Sequence, residues 1–392
     1  AVVALDLPAQ LLEKEFPDFL DVVRLSLQPG GLFCFIVPNN EKLEQHFAID
    51  PLNGRMFHPH QRVRSFDPAS VEAWLEENGF RLVGLHQVQI DRLGIVGGTQ
   101  PLETITNSER SFLGDGSSLL VLAAPKDFSF RVGARAKARA LVREMRKGCR
   151  AAEEPPAPFD FSWDQRRIDA FWSYVANTPL DELSFGRHNG PVLFRSVERW
   201  LRPGGRHIDI GAGEGHFISL LLEHGYKVAA YEPAPGRREL LDAKFSGVPH
   251  YLGSLSEVHV ETLFDVALAF EVIEHIPSNG LETFLRGIWK LLGVEGVLIL
   301  TTPCRENLKD ARVYSPLTGA VFHRWQHVQC WTPERLREAL AVSGFQVEVI
   351  HDVDFYGMGQ GRYPFYEILL NSRVPRLLGN GSNILCIARK RT

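Results

Sequence analysis

The stretch Ile208-Asp209-Ile210-Gly211-Ala212-Gly213-Glu214-Gly215-His216 decides the fold class of this chain. It follows the turn Pro203-Gly204-Gly205 and runs into an apolar segment that begins at His216. This order predicts a strand over 206–210, a glycine turn, and a helix over 216–224. Glycine lets the backbone adopt positive φ and approach a ligand closely, and the helix start offers N–H donors. The stretch therefore predicts a cofactor-binding turn in an α/β protein.

The spacing of the glycines separates two classes of cofactor. A dinucleotide-binding turn has the pattern G-x-G-x-x-G, which needs a glycine where this chain has His216. The next predicted strand runs from Lys227 to Glu232, and its terminal acid lies about twenty residues downstream, where it can accept hydrogen bonds from ribose hydroxyls. Such an acid fits either class. The glycine spacing therefore disfavours NAD.

Three segments in this order resemble the class I S-adenosylmethionine (SAM)-dependent methyltransferases. They are the glycine turn, the strand that ends in Glu232, and the segment Phe264–Ile276. The resemblance covers residues 160 to 392, and the Glu274-His275 pair is also similar to ubiquinone-pathway O-methyltransferases. It implies a Rossmann-like α/β fold with a seven-stranded sheet that closes in an antiparallel hairpin. It also implies SAM as the cofactor.

By that resemblance, one group of residues would hold the cofactor. Asp209 and the glycine turn would hold the methionine part of SAM, and Glu232 would hold the ribose. Ser254 and Leu255, after the third strand, would lie near the adenine. The expected cofactor-binding set is Asp209, Gly211, Ala212, Gly213, Gly215, Glu232, Ser254, Leu255, Phe270 and Glu271.

A second group is expected to carry the chemistry, namely Glu271, Glu274, His275 and His327. The two carboxylates lie three positions apart, which predicts one helical turn at the end of the fourth strand. That strand end faces the cofactor in open α/β sheets. A histidine there can act as a general base for a hydroxyl, because it titrates near neutrality. SAM carries an activated methyl group, so positioning the acceptor and removing one proton would account for most of the catalysis.

Three interpretations of this second group stay open. The residues can supply a general base, they can ligate a divalent cation such as Mg²⁺, Mn²⁺ or Zn²⁺, or they can serve packing alone. The metal interpretation is similar to the pattern of small-RNA 3′-terminal 2′-O-methyltransferases. We expect a SAM-dependent methyltransferase that acts on a hydroxyl of a small molecule or sugar. Metal-assisted RNA 2′-O-methylation and a non-catalytic SAM-binding scaffold are the alternatives.

The chain also repeats itself at an interval of 265 residues, which lays residues 30–126 over 295–391. Pro51–Val63 meets Pro316–Val328 without a gap, and Gly79-Phe80 meets Gly344-Phe345. This predicts a tandem arrangement with three parts. Residues 1–126 form a partial methyltransferase-like domain, 127–160 a basic helical linker with a Pro-rich hinge, and 161–392 the SAM-dependent domain with N-terminal lid helices.

The first copy is predicted to be non-catalytic. Aligning Ala1–Leu5 with Phe264–Leu268 puts apolar residues opposite the Glu-x-x-Glu-His segment, namely Pro8, Leu11 and Leu12. Arg62 stands opposite His327, whereas His58 and Gln61 match His323 and Gln326, which favours a role in the fold. The first copy would be a scaffold or a protein-contact surface. Because its first strand would leave an apolar edge unpaired, we also expect that the native domain extends before Ala1.

The linker and the composition limit the classes of partner that we expect this chain to bind. Eight basic residues and one acid lie within residues 131–150, followed by the hinge Glu153–Pro158. Such a helix can contact RNA, anionic lipid or a polyanionic glycan, or it can be a solvated connection between domains. The net charge of −4 gives no general signal for a polyanionic partner, and no apolar run has the length of a membrane span. Five cysteines without paired spacing favour the cytoplasm.

Overall fold

The computed structural model describes residues 1–88, 110–113, 117–127, 137–143, 155–176, 178–255, 263–363, 370, 377–378 and 380–391. The chain divides into two compact units. The first comprises Ala1–Phe47 and Phe57–Pro156, and the second comprises Ala48–Met56 and Ala157–Thr392. The segment Ala48–Met56 thus belongs to the second unit, although it comes from the early part of the sequence. A domain boundary drawn along the sequence does not anticipate this.

The second unit is built on one large sheet. Its strands in chain order are β9 (Arg206–Ile210), β10 (Lys227–Tyr231), β11 (Tyr251–Leu255), β12 (Phe264–Phe270), β13 (Leu292–Pro303), β16 (Phe345–Val353), β17 (Leu377–Leu378) and β18 (Asn383–Lys390). The spatial order is β11-β10-β9-β12-β13-β18-β16-β17. Neighbouring strands are parallel except that β18 runs antiparallel to both β13 and β16. The predicted seven-stranded sheet with a closing antiparallel hairpin is confirmed, and β17 adds one short edge strand.

Helices cover both faces of this sheet. They are α4 (Gln165–Val175), α5 (Phe185–Val197), α6 (His216–Glu223), α7 (Pro235–Phe245), α8 (Leu281–Leu291), α9 (Pro333–Val342) and α10 (Phe355–Gly359). Along β12, Val266 and Leu268 pack toward α5 and α6, whereas Ala267 and Ala269 pack toward α8 and α9. A strand buried on both faces is apolar along its buried length, which explains why residues 266–270 show no polar alternation. Thr332 caps α9 through the N–H of Arg335, with Pro333 in the first turn, as the sequence predicts.

A small sheet lies beside the large one in the same unit. It consists of β14 (Arg312–Tyr314), β15 (Ala320–His323) and β8 (Phe159–Asp160), in that order. The pair β3 (Ala48–Ile49) and β4 (Met56–Phe57) forms a separate ladder. Ser315 begins the loop between β14 and β15, and a second loop follows β15 and leads to Trp331. This part of the chain forms one wall of the site described below.

The first unit has a five-stranded sheet. Its elements are β1 (Val2–Leu5), α1 (Leu7–Gln10), α2 (Phe16–Ser26), β2 (Phe33–Pro38), α3 (Pro68–Glu77), β5 (Phe80–Val88), β6 (Arg110–Leu113) and β7 (Ser118–Pro125). The order is β1-β2-β7-β5-β6, with β7 antiparallel to β2 and β5. The second unit has the corresponding sequence of strands in β12-β13-β18-β16-β17. Phenylalanines fill the core, among them Phe33, Phe35 and Phe80.

The strand pairing corrects the alignment of the first residues of the two copies. Val2 pairs with Phe33, and Ala267 pairs with Leu298, so Val2 corresponds to Ala267 at the same interval of 265 residues. The backbone agrees, because Asp6 has φ 59° and Glu271 has φ 52°. An offset that placed Pro8 opposite Glu271 is therefore wrong. An acid, Asp6, occupies that position, and Ala9 and Gln10 stand opposite Glu274 and His275.

The predicted basic linker falls largely outside the described residues. Residues 137–143 are helical and contain Lys137, Arg139 and Arg143. The remaining basic residues of the linker lie outside the described part, namely Arg131, Arg135, Arg146, Lys147 and Arg150. Among the described residues, no helix combines the length and the apolar character that a membrane crossing requires.

Candidate active site

The glycine turn between β9 and α6 has the backbone that its sequence predicts. Gly211, Gly213 and Gly215 have φ values of 70°, 56° and 75°. A Cβ atom at Gly211 would lie 2.8 Å from Val272 Cγ2, so the turn approaches the loop after β12 closely. Gly215 serves packing, because its Cβ would lie 2.4 Å from Phe245 Cε2. Gly211 and Gly213 line a cavity, and Gly215 is not part of that lining.

The cavity above the turn has a volume of about 250 Å³. The ends of β9, β10 and β12 form its floor, and α4 and the turn Pro179–Leu183 cover it. Its lining is mainly apolar. The predicted cofactor-binding residues in the lining are Asp209, Gly211, Ala212, Gly213, Glu232, Phe270 and Glu271, and His275 lines it as well.

Two carboxyl groups are buried together at the floor of the cavity. Burial, together with the charge of Glu232, raises the pKa of Asp209 to about 8. Burial also raises the pKa of Glu232, although that carboxylate accepts hydrogen bonds from the N–H groups of Gly213 at 2.9 Å and Ala234 at 3.0 Å. Buried carboxyl groups are stabilised by cationic or hydroxyl partners. The cavity can therefore receive a ligand that is rich in both.

A charged cluster closes the opposite side of the cavity. His216 Nε2 lies 2.8 Å from Asp181 Oδ2. Burial favours the neutral acid, but the hydrogen bond and the charge of His216 hold the pKa of Asp181 below its usual value. The guanidinium of Arg237 lies 4.2 Å from the ring centroid of Trp172. Burial raises the pKa of Glu214, and the charge of Asp181 adds to that rise. The contact between Asp181 and His216 thereby joins the turn Pro179–Leu183 to the start of α6, directly after the glycine turn.

The structure separates the two glutamates that the sequence places on one helical turn. Glu271 has positive φ, and the short helical turn is Ile273–His275, so Glu271 lies outside it. The side chain of Glu271 accepts from Asn383 Nδ2 at 3.2 Å, and burial raises its pKa to about 7. Glu274 points into the interior, where Oε2 accepts from Thr302 Oγ1 at 2.9 Å and Oε1 has no hydrogen-bond donor. The prediction of a shared helical turn is wrong, because the backbone at Glu271 has positive φ and the helical turn begins two residues later, at Ile273.

His275 and His327 come together as the sequence predicts. Their ring centroids lie 4.9 Å apart, and the indole of Trp172 packs on His275 at 5.0 Å. Burial lowers the pKa of both histidines, that of His275 well below 6.5. The charge of the neighbouring histidine adds to this effect for His275. Both rings are therefore neutral near pH 7 and can accept a proton.

The sequence did not identify the residue that orients His327. Glu306 Oε2 lies 2.6 Å from His327 Nδ1, and Glu306 Oε1 lies 3.3 Å from His323 Nε2. Burial opposes ionisation of Glu306, but the hydrogen bond from His327 and the proximity of His323 lower its pKa to about 2. His323 Nδ1 accepts from the N–H groups of Trp325 and His327, which shapes the loop. The repeat contains the one available signal, because Glu41 corresponds to Glu306 at the same interval.

Ser254 and Leu255 are placed differently from the other expected cofactor residues. Ser254 Oγ donates to Asp242 Oδ1 at 2.6 Å, at the end of β11. Leu255 packs beside the core on the α8 face of the sheet. Neither lines the cavity that Asp209 and Glu232 share. Their expected position near the adenine stays a prediction.

The corresponding positions of the first unit hold a different cluster. Arg62 stands where the second unit has His327, and its guanidinium lies 3.0 Å from Asp6 and 2.6 Å from Glu41. His58 Nδ1 accepts from the N–H groups of His60 and Arg62, as His323 does from Trp325 and His327. The first unit thus keeps the loop and replaces the titratable ring with a permanent cation. A guanidinium cannot act as a general base in proteins.

The order of strands and the glycine turn define the class of the second unit. If the strands are numbered along the chain from β9 and the short edge strand β17 is left out, their spatial order is 3-2-1-4-5-7-6, and the seventh strand, β18, is antiparallel. This is the class I methyltransferase sheet that the sequence resemblance implies. The cavity lies at the carboxyl ends of the strands, at the point where the order reverses, which is where open α/β sheets bind ligands.

Comparison with known proteins agrees with this class. A family described as "Methyltransferase domain" matches residues 185–349. The ubiquinone biosynthesis O-methyltransferase of Azorhizobium caulinodans is 30% identical over 173 residues, which cover 40% of this chain and 66% of that protein. The chain therefore spans slightly less than two thirds of the length of this curated relative.

Two solved structures show weaker similarity. The Burkholderia thailandensis 1,6-didemethyltoxoflavin-N1-methyltransferase with bound 1,6-didemethyltoxoflavin and S-adenosylhomocysteine has a TM-score of 0.42 and 18% identity, over 60% of this chain and 95% of that one. A SAM-dependent methyltransferase from Clostridium acetobutylicum has a TM-score of 0.37 and 12% identity, over 54% of this chain and 94% of that one. From the sheet, the turn and the family match, the second unit has the class I SAM-dependent methyltransferase fold, and its residues 185–349 match the methyltransferase domain family.

Proposed function

We propose that the second unit transfers the methyl group of SAM to a hydroxyl of a small molecule, with His327 as the general base. The observation that carries this proposal is the chain of contacts from the cavity to a carboxylate. His275 lines the cavity, His327 packs against His275, and Glu306 holds His327 Nδ1 at 2.6 Å. The similarity to an O-methyltransferase supports the choice of a hydroxyl acceptor.

The residues of the cavity fit SAM. Asp209 and Glu232 place two buried carboxyl groups beside a turn whose glycines allow close approach. Glu232 would accept from the ribose hydroxyls while the Gly213 and Ala234 amides hold it in place. Asp209 and Asp181 would face the cationic methionine end, where a positive charge offsets the cost of their burial. When bound, SAM supplies an activated methyl group.

The tautomers of the two histidines follow from their partners. The ionised carboxylate of Glu306 requires that His327 Nδ1 carries the proton, so Nε2 has a free lone pair. Nδ1 of His275 faces the carbonyl oxygen of Gln326 at 3.5 Å, which likewise leaves Nε2 unprotonated. Glu306 lies at hydrogen-bond distance from His327 and would stabilise its imidazolium, whereas His275 Nε2 lies 3.8 Å from Glu274 Oε1. We therefore assign removal of the proton to His327, which packs against His275 and does not itself line the cavity, and positioning of the hydroxyl to His275.

The acceptor side of the cavity is apolar and aromatic. Trp172, Ile276, Phe284 and Trp325 line it beside His275. Flat apolar walls favour a hydroxyl on an aromatic or other apolar framework. A sugar hydroxyl would need more hydrogen-bond partners than these side chains provide. A small apolar acceptor is therefore our first choice, and a sugar or glycan is the second.

Two experiments test the proposal in sequence. Calorimetric titration of the full chain with S-adenosylhomocysteine should show one site, and Asp209→Ala should abolish it. A panel of phenols, catechols, aliphatic alcohols and sugars should then identify the class of acceptor by the S-adenosylhomocysteine that is formed. No binding by the unaltered chain would contradict the assignment of the cofactor. Binding with turnover by His327→Ala at the unaltered rate would contradict the assignment of the base.

A divalent cation is the second candidate for the reactive cluster. Glu274, His275 and His327 offer ligand atoms that lie within 4.8 Å of one another. Glu274 Oε1 is fully buried without a donor, and the hydrogen bonds of both histidines leave one ring nitrogen free. Nitrogen and oxygen ligands of this kind suit Zn²⁺ or Mn²⁺. Turnover that is lost on chelation and restored by one of these ions would favour this candidate and, with it, the alternative of metal-assisted RNA methylation.

We further propose that the first unit is a non-catalytic scaffold derived from the same fold. The support is the shared order of strands and the replacement of His327 by Arg62. Its role toward other proteins is open to a direct test. Arg62→His should not add a second site for S-adenosylhomocysteine, and a calorimetric stoichiometry of two for the unaltered chain would contradict the proposal.

A further inference from the structure

The segment Ala48–Met56 belongs to the second unit and is buried there at its start. Ala48, Ile49 and Asp50 are 0% exposed, and β3 contacts the covering helix α4. We infer that this segment is a positioning element of the methyltransferase unit, and that Asp50 fixes the loop that leads to the base His327. The effect on turnover rests on the proposed function. The effect on the structure does not.

Asp50 uses both of its carboxylate oxygens. Oδ1 accepts from the N–H groups of Leu52 at 2.9 Å and Asn53 at 3.2 Å, which closes its own turn. Oδ2 accepts from the hydroxyl of Ser315 and, at 2.6 Å, from Thr318 Oγ1. Asp50 and Ser315 are both fully buried. Hydrogen bonds to a buried carboxylate are strong, and their loss leaves an uncompensated charge.

The turn of Asp50 and the turn of Ser315 have the same internal hydrogen bonds. In each turn, the N–H of the first residue donates to the carbonyl oxygen five positions ahead, from Asp50 to Arg55 and from Ser315 to Ala320. The carbonyl oxygen of the first residue accepts from the N–H of a glycine, Gly54 or Gly319. Its side chain accepts from the N–H of the leucine two positions ahead, Leu52 or Leu317. Two copies of one turn thus meet at residues 265 positions apart.

The contact requires that the two copies differ at this one position. Two acids would place buried carboxylates against each other without a proton donor, which is strongly unfavourable. Two serines would lose the charge-assisted hydrogen bonds. The pairing of Asp50 with Ser315 supplies one acceptor and one donor. The sequence therefore specifies this contact, and a change at one position can be compensated at the other.

The segment also supports both walls of the active site. The loop of Ser315 leads into β15, and His323 at the end of β15 accepts the N–H of His327 at 3.1 Å. On the other side, a Cβ at Gly54 would lie 2.6 Å from the ring of Tyr174 in α4, the helix that carries Trp172. Ordering the segment therefore orders the loop of the base and the helix that covers the cavity.

The test is an exchange of residues in the full-length chain. Ser315→Asp should raise the rate of amide hydrogen exchange of residues 313–323 by about tenfold, the value expected for a lost hydrogen bond to a charged group. Turnover should fall by a similar factor. The double variant Asp50→Ser with Ser315→Asp should bring both quantities back to within about threefold of the unaltered chain, since the donor and acceptor are restored in reversed order. Leu52→Ala, an exposed change in the same segment, is the matched control and should alter neither.

Asp50→Asn provides a milder second variant, because it keeps the shape of the side chain and removes its charge. It should show increased exchange at residues 313–323 even if Ser315→Asp fails to fold. Unchanged exchange in Asp50→Asn, or a double variant no better than Ser315→Asp, would overturn the inference. Hydrogen exchange can be measured without a methyl-acceptor substrate and without turnover. If the unaltered chain had no methyltransferase activity, the proposed function would fail while the exchange results would still decide this inference.

Discussion

The substitution Glu306→Gln tests the proposed base most directly. Glu306 is 24% exposed at its side chain, and its histidine partners lower its pKa from 4.5 to about 2. A shift of that size corresponds to about 3 kcal/mol of interaction between the ionised carboxylate and the histidines. This interaction is fully present above pH 4.5 and is lost as the pH falls toward 2. Near neutral pH the hydrogen bond from His327 remains, and the charge–charge part of the interaction is added when His327 takes up a proton.

Glutamine removes the charge and can also reverse the hydrogen bond to His327. An amide N–H that donates to Nδ1 would move the ring proton to Nε2 and remove the lone pair that accepts the proton of the substrate. We therefore expect kcat to fall by about 10²-fold or more, the contribution typical of a general base. The affinity for S-adenosylhomocysteine should stay the same, because Glu306 does not line the cavity. Initial rates with the acceptor from the panel and calorimetry measure the two quantities.

The chain contains its own control for this experiment. Glu41 occupies the corresponding position of the first unit, with a 6% exposed side chain paired to Arg62. Glu41→Gln removes the same charge from a similar setting and should leave kcat unchanged. Thermal denaturation of both variants separates loss of folding from loss of chemistry. Equal turnover in Glu306→Gln and the unaltered chain would refute the role of Glu306 as the partner of the base.

Three further predictions concern pH, the cofactor and the turn. Because burial holds the pKa of His327 below 6.5, kcat/KM should be level above that pH and fall as the pH drops below the lowered pKa; a fall on the alkaline side alone would contradict a neutral histidine base. Because the pKa of Asp209 is about 8 without ligand, binding of S-adenosylhomocysteine near pH 7 should release protons, which calorimetry in buffers of different ionisation enthalpy detects; Asp209→Asn should remove that release. Gly215→Ala should lower the free energy of unfolding by about 2 kcal/mol or more, since its Cβ would meet Phe245 in a left-handed backbone; a melting temperature equal to that of the unaltered chain would show that the turn relaxes freely.

The positions of the candidate residues could be predicted from the sequence only where they follow a regular element. Asp209 and Glu232 come at the ends of parallel strands, which meet at one edge of a sheet, so their proximity follows from the order of elements. His275 and His327 were paired by the same reasoning. Glu306 could not be found in this way, because it lies in an irregular loop whose path depends on the contacts of His323 and His327.

The error at Glu271 has a similar origin. Residues three apart share a helical face only if the helix is already formed at the first of them. Positive φ at Glu271 delays the turn, so Glu271 contacts Asn383 while Glu274 points into the interior. The same backbone at Asp6 shows that this bend belongs to the fold. A glycine there would have signalled the bend in the sequence.

The sequence by itself determined the α/β class, the glycine turn and the repeat, because these depend on local periodicity and on residues close together along the chain. Only the tertiary structure decided that Glu306 orients His327, that Glu271 and Glu274 have separate partners, and that Asp50 reaches Ser315. These contacts join residues of different loops and segments, and their geometry depends on how the sheet places the ends of its strands. Local propensity has no information about such distances. The contacts and protonation of the side chains at the site therefore depend on tertiary packing, whereas the order of strands and helices that holds them follows from the sequence pattern.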